Sequence, residues 1–407
     1  MLKKIGVEHL RVGMHLEELC GSWMEHPFWR TKFVIKDPKD IHLIVESGIS
    51  EVWIDIDKGI DIPAASKEQV EAKVDAELMA TAAATGTPMQ VVQPRVSMTE
   101  EVKRAAKICA NGKDAVVSMF QEVRMGKAIS AEAAGELVDE IASSVARNPG
   151  ALISLARLKT ADDYTYMHSV AVCALMVVLA RQLGLDEKEI RDAGMSGLLH
   201  DLGKAMMPME VRNKPGKLTD EEFRIIKSHP EEGHRLLVEG GTAGATVLDV
   251  CLHHHEKIDG SGYPHRLKDE QISVFAKMGA VCDVYDAITS NRPYKSGWDP
   301  AESIRKMTEW TNGHFDGRIF QAFVKSIGIY PVGSLVRLSS GRLGVVAEQA
   351  EGSLLTPRIK VFFSTKSMAY IPPELIDLSR RGVSEKIVAR EEAEKWGIKN
   401  LDQYWAA

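Results

Sequence analysis

The chain has 407 residues, 44% of them apolar and 27% charged, which excludes a disordered chain and sets the scale of two or three globular domains. Its formal net charge of −6 excludes a generally basic nucleic-acid-binding surface and leaves room only for a local basic pocket. Five cysteines, at 20, 109, 173, 251 and 282, lack metal or redox spacing and read as reduced packing residues of an intracellular, cytoplasmic protein.

Residues 1 to about 62 mix short alternating runs with one helical stretch. Phe33-Val34-Ile35 precedes Pro38, Ile41 to Ser47 reads as a short helix, and Val52 to Ile56 alternates as a strand, so a small α+β domain is expected. His26 beside Trp23, Phe28 and Trp29 reads as packing or an interface rather than a ligand cage. Residues 63–96 form a linker: Ser66 to Ala84 is Ala-, Glu- and Lys-rich and helical, with Ser66 as an N-cap, and Gly86-Thr87-Pro88 breaks it. The small residues of that stretch would alternatively suit a homodimer helix.

Helical patterns then dominate a region spanning 97–330, at about 98–125, 130–146, 161–183, 186–202, 219–238, 243–256, 271–290 and 300–309. The longest apolar run, Val170 to Ala180, is far short of the roughly 20 residues that cross a bilayer, so a buried helix is expected and no membrane insertion or signal peptide. Residues 331–407 change character: Leu335–Leu338, Leu343–Ala347 and Arg358–Phe363 read as strands of a β-rich appendage, followed by a charged C-terminal helix at about 384–396. The fold class is therefore multidomain α+β with an all-α central region.

The chemistry concentrates in the helical region. His254-His255-Glu256 and the turn Gly260-Ser261-Gly262-Tyr263-Pro264 follow His168, His200-Asp201 and His229, and precede Asp283. Imidazoles with carboxylates suit borderline divalent ions such as iron, manganese, nickel or zinc. His200 and Asp201 end a mostly apolar stretch, where an ionised Asp is costly unless paired or metal-bound. A carboxylate has two oxygens and an imidazole offers one nitrogen at a time, which makes Asp201 the natural bridge between two ions. Asp286 competes with Asp283 as the ligand, Glu256 and Asp259 would orient imidazoles or fix the turn, and His253, His234, His265 and His314 have no ligand argument.

The order His168, His-Asp-Leu-Gly-Lys at 200–204, His229, His254-His255-Glu256, Gly262-Tyr263-Pro264, Asp283 and Arg292-Pro293-Tyr294-Lys295 resembles the HD-GYP phosphodiesterases, a branch of the HD phosphohydrolases. The resemblance covers roughly residues 97–330, and the first sixty residues are similar to the small uncharacterised domain that often precedes such modules. It implies an HD-type helical catalytic domain that hydrolyses cyclic di-GMP to pGpG, with GMP as a further product, using water activated between two divalent ions, iron or manganese ahead of nickel or zinc. It further implies one ion at His168, His200 and Asp283, a second at His229, His254 and His255, and Asp201 between them. His200, Asp201 and Lys204 would be catalytic, and Lys204, Gly262, Tyr263, Pro264, Arg292 and Lys295 would contact substrate, the cations by charge and Arg292 by its planar fork. Some members carry a Glu four residues before the first histidine that helps hold a third metal; here that residue is Tyr164, so two metals are expected. A cyclic-dinucleotide-binding signalling module with little turnover and protein partners, and a phosphohydrolase of another nucleotide, stand as the competing readings.

Overall fold

The structure is a computed structural model that describes residues 1–20, 32–47, 49–84, 96–158, 164–212, 214, 218–291, 297–311, 313–350 and 352–406. His26 and its aromatic neighbours, Gly86-Thr87-Pro88, Arg292 and Lys295 lie outside the described residues. The chain divides into two compact units, Met1–Leu78 with Thr308–Trp310, and Met79–Met307 with Thr311–Ala407.

In the first unit β1 (Leu2–Gly6), β2 (His15–Leu19), β3 (Phe33–Val34), α1 (Pro38–Glu46) and β4 (Glu51–Asp55) build an antiparallel sheet in the order β1-β4-β2-β3. Alternation along β2 and β4 sends Leu16, Val52 and Ile54 into a core with Met14, Ile35 and Ile44, all fully buried. The Asp37 carboxylate accepts from the Lys39 N–H and caps α1, with Pro38 in the first turn where its missing N–H costs nothing. The Ala-rich stretch after Ser66 is a helix, α2 (Lys67–Ala83), as its composition predicts.

In the second unit α3 (Met98–Arg124), α4 (Ala131–Arg147), α5 (Pro149–Arg157), α6 (Tyr164–Gln182) and α7 (Glu187–Leu199) pack into a bundle. Helix α6 is apolar all round because it is the core: Val170 to Ala180 are buried without exception. By length and composition it is long enough to cross a membrane, and it is instead enclosed by its neighbours. Glu101 of α3 is buried yet satisfied, its carboxylate accepting from Arg147 and Ser144 of α4. Asp186 and Glu189 form a reciprocal capping box at the start of α7.

The chain continues through α8 (Met209–Arg212), α9 (Asp220–Lys227), α10 (His229–Gly240), α11 (Ala245–His253), α12 (Val274–Thr289), α13 (Pro300–Trp310) and α14 (Gly317–Ile327). The single helix expected over 219–238 is two helices. Pro230 has no N–H for the Ile226 carbonyl, so the helix cannot run on unbroken, and α10 restarts at His229. Gly203, in the 3-10 turn after α7, packs so closely on α10 that a Cβ there would lie 1.9 Å from the His229 carbonyl oxygen. That contact seats His200 and Asp201 beside His229.

Among the described residues, the C-terminal part holds five strands, β5 (Leu335–Leu338), β6 (Arg342–Ala350), β7 (Ser353–Ser364), β8 (Ala369–Asp377) and β9 (Ile387–Arg390), in the antiparallel order β8-β7-β6-β5-β9. The charged helix expected at 384–396 is corrected: Ile387–Arg390 pairs with β5, through Leu338 with Ile387 and Val336 with Arg390, and only Glu394–Trp396 forms a 3-10 turn. Cross-strand pairing outweighs the helix propensity of Glu, Lys and Ala there. The sheet is tied to the helices by Asp299, whose carboxylate accepts from the Leu335 N–H at 2.9 Å and from the N–H groups of Ala301 and Glu302.

Candidate metal centre

Four of the five histidines of the cluster are aimed by their Nδ1. His200 Nδ1 donates to the Gly197 carbonyl at 2.8 Å, His229 Nδ1 to the Ile226 carbonyl at 2.6 Å, and His254 Nδ1 to the carbonyls of Val250 and Cys251 at 3.0 Å. A carbonyl only accepts, so these rings carry the proton on Nδ1 and turn a bare Nε2 inward. The Ile226 carbonyl is the one that Pro230 leaves without its helical donor, so the helix break also orients His229. His168 does the same with a carboxylate: its Nδ1 lies 2.6 Å from Asp286 Oδ2 while its Nε2 lies 2.9 Å from Asp283 Oδ1.

The four inward Nε2 atoms meet Asp201. Its Oδ2 is 3.4 Å from both His168 Nε2 and His200 Nε2, and its Oδ1 is 3.2 Å from His229 Nε2 and 3.8 Å from His254 Nε2. His229 Nε2 and His254 Nε2 are 3.3 Å apart, and His255 Nδ1 is 3.7 Å from Asp283 Oδ2. The donors fall into two groups, Asp201 with His229, His254 and His255, and His168 with His200 and Asp283. All but His255 are buried, and His200 Nε2 and Asp201 Oδ1 are enclosed with no hydrogen-bond partner. Orphaned buried atoms of this kind are costly, and cations between the two groups would satisfy them.

Electrostatics prepares the donors. Burial pushes the Asp201 carboxyl up, but the neighbouring His200 and His229 imidazoles and the Lys204 ammonium hold it well below the usual carboxylate range. Asp283 is likewise held low against its burial, first by the hydrogen bond with His168 and then by the surrounding imidazoles. Burial and then neighbouring imidazoles push His254 down to about 3, and burial also lowers His229 and His255. Burial lowers His168, but its hydrogen bonds with Asp283 and Asp286 raise it overall. At neutral pH the site therefore presents carboxylate anions and, at His229, His254 and His255, neutral imidazoles, the ligand forms of those groups.

Lys204 Nζ lies 2.6 Å from Asp201 Oδ2 and faces the cluster. The Gly-rich turn lies at its edge. Gly262 packs on the backbone of Glu256 and Lys257, where a Cβ would come within 2.4 Å of the Lys257 nitrogen. Glu256, a candidate for orienting imidazoles, instead fixes this turn by accepting from the N–H groups of His265 and Leu267. The turn lays the Tyr263 ring on His255, with centroids 4.7 Å apart. Tyr164 stacks on His168 at 5.8 Å and 9° between planes, the face that an i, i+4 residue shares. His253 turns away to Asp249 and His265. Cys251 packs under His200, and burial pushes the Cys173 and Cys251 thiols up, consistent with packing roles.

One residue was not singled out from sequence. Lys227 on α9 holds its ammonium 4.5 Å from the Phe223 ring centroid and 5.0 Å from that of Tyr263, bracing the ring that covers His255. Its spacing, four residues after Phe223 and two before His229, was the available signal.

Buried His and Asp side chains gathered by a helical bundle define an HD-type, metal-dependent phosphohydrolase site. Residues 141–319 match the family described as HD domain, and residues 2–134 match a domain of unknown function, DUF3391. The chain is 56% identical over 406 residues to a cyclic di-GMP phosphodiesterase of Pseudomonas aeruginosa, covering 100% of this chain and 96% of that protein. It is 40% identical over 177 residues to a cyclic di-GMP phosphodiesterase response regulator of Xanthomonas campestris (42% of this chain, 47% of the relative), and 33% identical over 166 residues to a 3'3'-cGAMP-specific phosphodiesterase of Vibrio cholerae (40% and 38%). The chain belongs to the HD-GYP family of phosphodiesterases.

Proposed function

We propose that this protein is a metal-dependent hydrolase of cyclic di-GMP, opening one phosphodiester to give pGpG and acting further toward GMP. Full-length similarity to a phosphodiesterase named for that substrate supports the substrate. The observation that carries the chemistry is Asp201, whose two oxygens face two separate sets of imidazole nitrogens. We assign His168, His200 and Asp283 to one ion, His229, His254 and His255 to the other, Asp201 to both, and favour iron or manganese. When bound, two such ions supply Lewis acidity, an activated water and charge for the leaving oxygen.

The chain's own residues supply the rest. The Nδ1 hydrogen bonds hold the imidazoles in one tautomer, and Asp286 does so for His168 with a carboxylate, which also raises its basicity. Lys204 offers its ammonium to a phosphate oxygen beside Asp201, and Arg292 and Lys295 extend that cationic contact. Tyr263, braced by Lys227, offers an aromatic face at the mouth of the site. We keep the division into 1–62, 63–96, 97–330 and 331–407 as a working one, although the compact units part at residue 78 and the family matches at 134–141. The buried thiols of Cys173, Cys251 and Cys282 suit the reducing cytoplasm.

The 33% identity to a 3'3'-cGAMP-specific enzyme favours a second reading in which the mixed dinucleotide is the substrate. A panel of cyclic di-GMP, 3'3'-cGAMP and unrelated phosphodiesters, assayed with iron or manganese and read by product chromatography, decides. Release of pGpG with the highest kcat/KM for cyclic di-GMP is expected. Preference for 3'3'-cGAMP establishes the second reading, and binding without turnover under every metal overturns both.

A further inference from the structure

The first unit assembles a second set of metal-type donors, distinct from the catalytic cluster. His15 and Glu17 flank Leu16 on β2; Leu16 is fully buried in the core, and the register with β4 slips between Leu16 and Glu18, so a bulge re-aims Glu17. Asp55 ends β4 beside them. His15 Nδ1 and Glu17 Oε2 are 3.8 Å apart, and one donor atom from each of His15, Glu17 and Asp55 lies within 4.8 Å of the others. Donors bound at about 2.0–2.1 Å stand roughly 3.3 Å apart around a tetrahedral ion, so the set needs to close by no more than about 1.5 Å. The side chains of His15 and Glu17 are 12% exposed and that of Asp55 9%.

An ion-pair network is the competing account. Lys58 Nζ lies 2.8 Å from Asp55 Oδ2 and 3.7 Å from Glu17 Oε2, Lys32 pairs with Glu17 Oε1, and the Met1 amino group lies 3.2 Å from Asp55 Oδ1. That network leaves His15 Nδ1 and Glu17 Oε2 enclosed with no hydrogen bond, 3.8 Å from one another. Neither lysine is fixed: their side chains are 57% and 63% exposed, so their ammonium groups exchange into water cheaply. A divalent ion would satisfy both orphaned atoms and bring two charges where Lys58 brings one.

We infer that His15, Glu17 and Asp55 hold a divalent transition cation of the zinc, iron or manganese class, and that Lys58 is the group it displaces. One imidazole and two carboxylates form the mixed nitrogen and oxygen set such ions accept. Bound there, the ion clips β2 to the end of β4 across the bulge and couples the stability of this unit to metal.

The test uses the full chain, stripped of metal and loaded with Zn²⁺ or Co²⁺. Anomalous diffraction at the zinc edge should show density within bonding distance of His15, Glu17 and Asp55, apart from any at the catalytic cluster. In solution, Co²⁺ titration of an Asp201→Ala background isolates this site: it should retain one ion that His15→Ala and the nearly isosteric Glu17→Gln each remove. Lys58→Met should tighten binding about tenfold or more by removing the competitor. No density at these residues, Co²⁺ uptake unchanged in Glu17→Gln, or Lys58→Met that destabilises the fold without gaining metal affinity overturns the inference in favour of the ion-pair network. None of these outcomes bears on the catalytic centre.

Discussion

At the scale of single residues, the centre depends on which nitrogen of each ring is spoken for. Three rings are held by backbone carbonyls, which substitution cannot remove, and one by Asp286, which it can. Asp286→Asn should therefore lower metal affinity about 10–100-fold with the fold intact, measured by metal competition against a chelator. His200→Ala and Asp201→Ala should lose both metal and turnover; a folded variant with full metal content and near-normal rate contradicts the bimetal assignment. Lys204→Ala should keep its metal and lose kcat/KM for cyclic di-GMP, because it offers charge without ligating, and metal loss in that variant would count against the role. The histidine and aspartate spacing was legible from sequence because adjacent imidazoles and an Asp at the end of an apolar run are hard to explain otherwise. The choice between Asp283 and Asp286 was not, since residues three apart share a helix face; only the packing of α12 against α6 sets one at Nε2 and the other at Nδ1 of His168.

Among elements, periodicity located most helices of the bundle, because an apolar stripe at helical spacing is a strong signal. It ran 219–238 together, where Pro230 and the His229 contacts make the break, and it missed α5, α8 and α14, whose nine, four and eleven residues are short for the pattern. It also made a helix of 384–396, where pairing with β5 is a long-range choice that local propensity does not register. The fastening of that sheet is testable through Asp299. Burial pushes its carboxyl from 3.8 up to about 6 against three backbone hydrogen bonds and Arg157. The folded chain thus holds this proton more tightly than the unfolded chain, so its contribution to stability is complete below about pH 4 and is lost as pH rises through about 6. Comparing denaturant unfolding of the wild type with Asp299→Asn, the difference should move against the wild type by at most ~3 kcal/mol between pH 4 and 7. Parallel pH profiles would remove Asp299 from the account.

For the molecule as a whole, the two ends and the middle were distinguishable by composition: β-branched alternation at both termini, helical stripes between. The role of the first unit was not legible, because Asp55 lies about forty residues beyond His15 and Glu17 in sequence and meets them only through strand register. The central claim, a two-ion centre bridged by Asp201, meets its most direct test in anomalous diffraction from wild-type crystals grown with iron or manganese, with cyclic di-GMP turnover measured on the same preparation. The account predicts two peaks at the catalytic cluster, one beside His168, His200 and Asp283 and the other beside His229, His254 and His255, with Asp201 in reach of both. Tyr164, a phenol where a carboxylate would be needed, should not ligate. A single peak in active protein, or a third one within bonding distance of the Tyr164 oxygen, would contradict it.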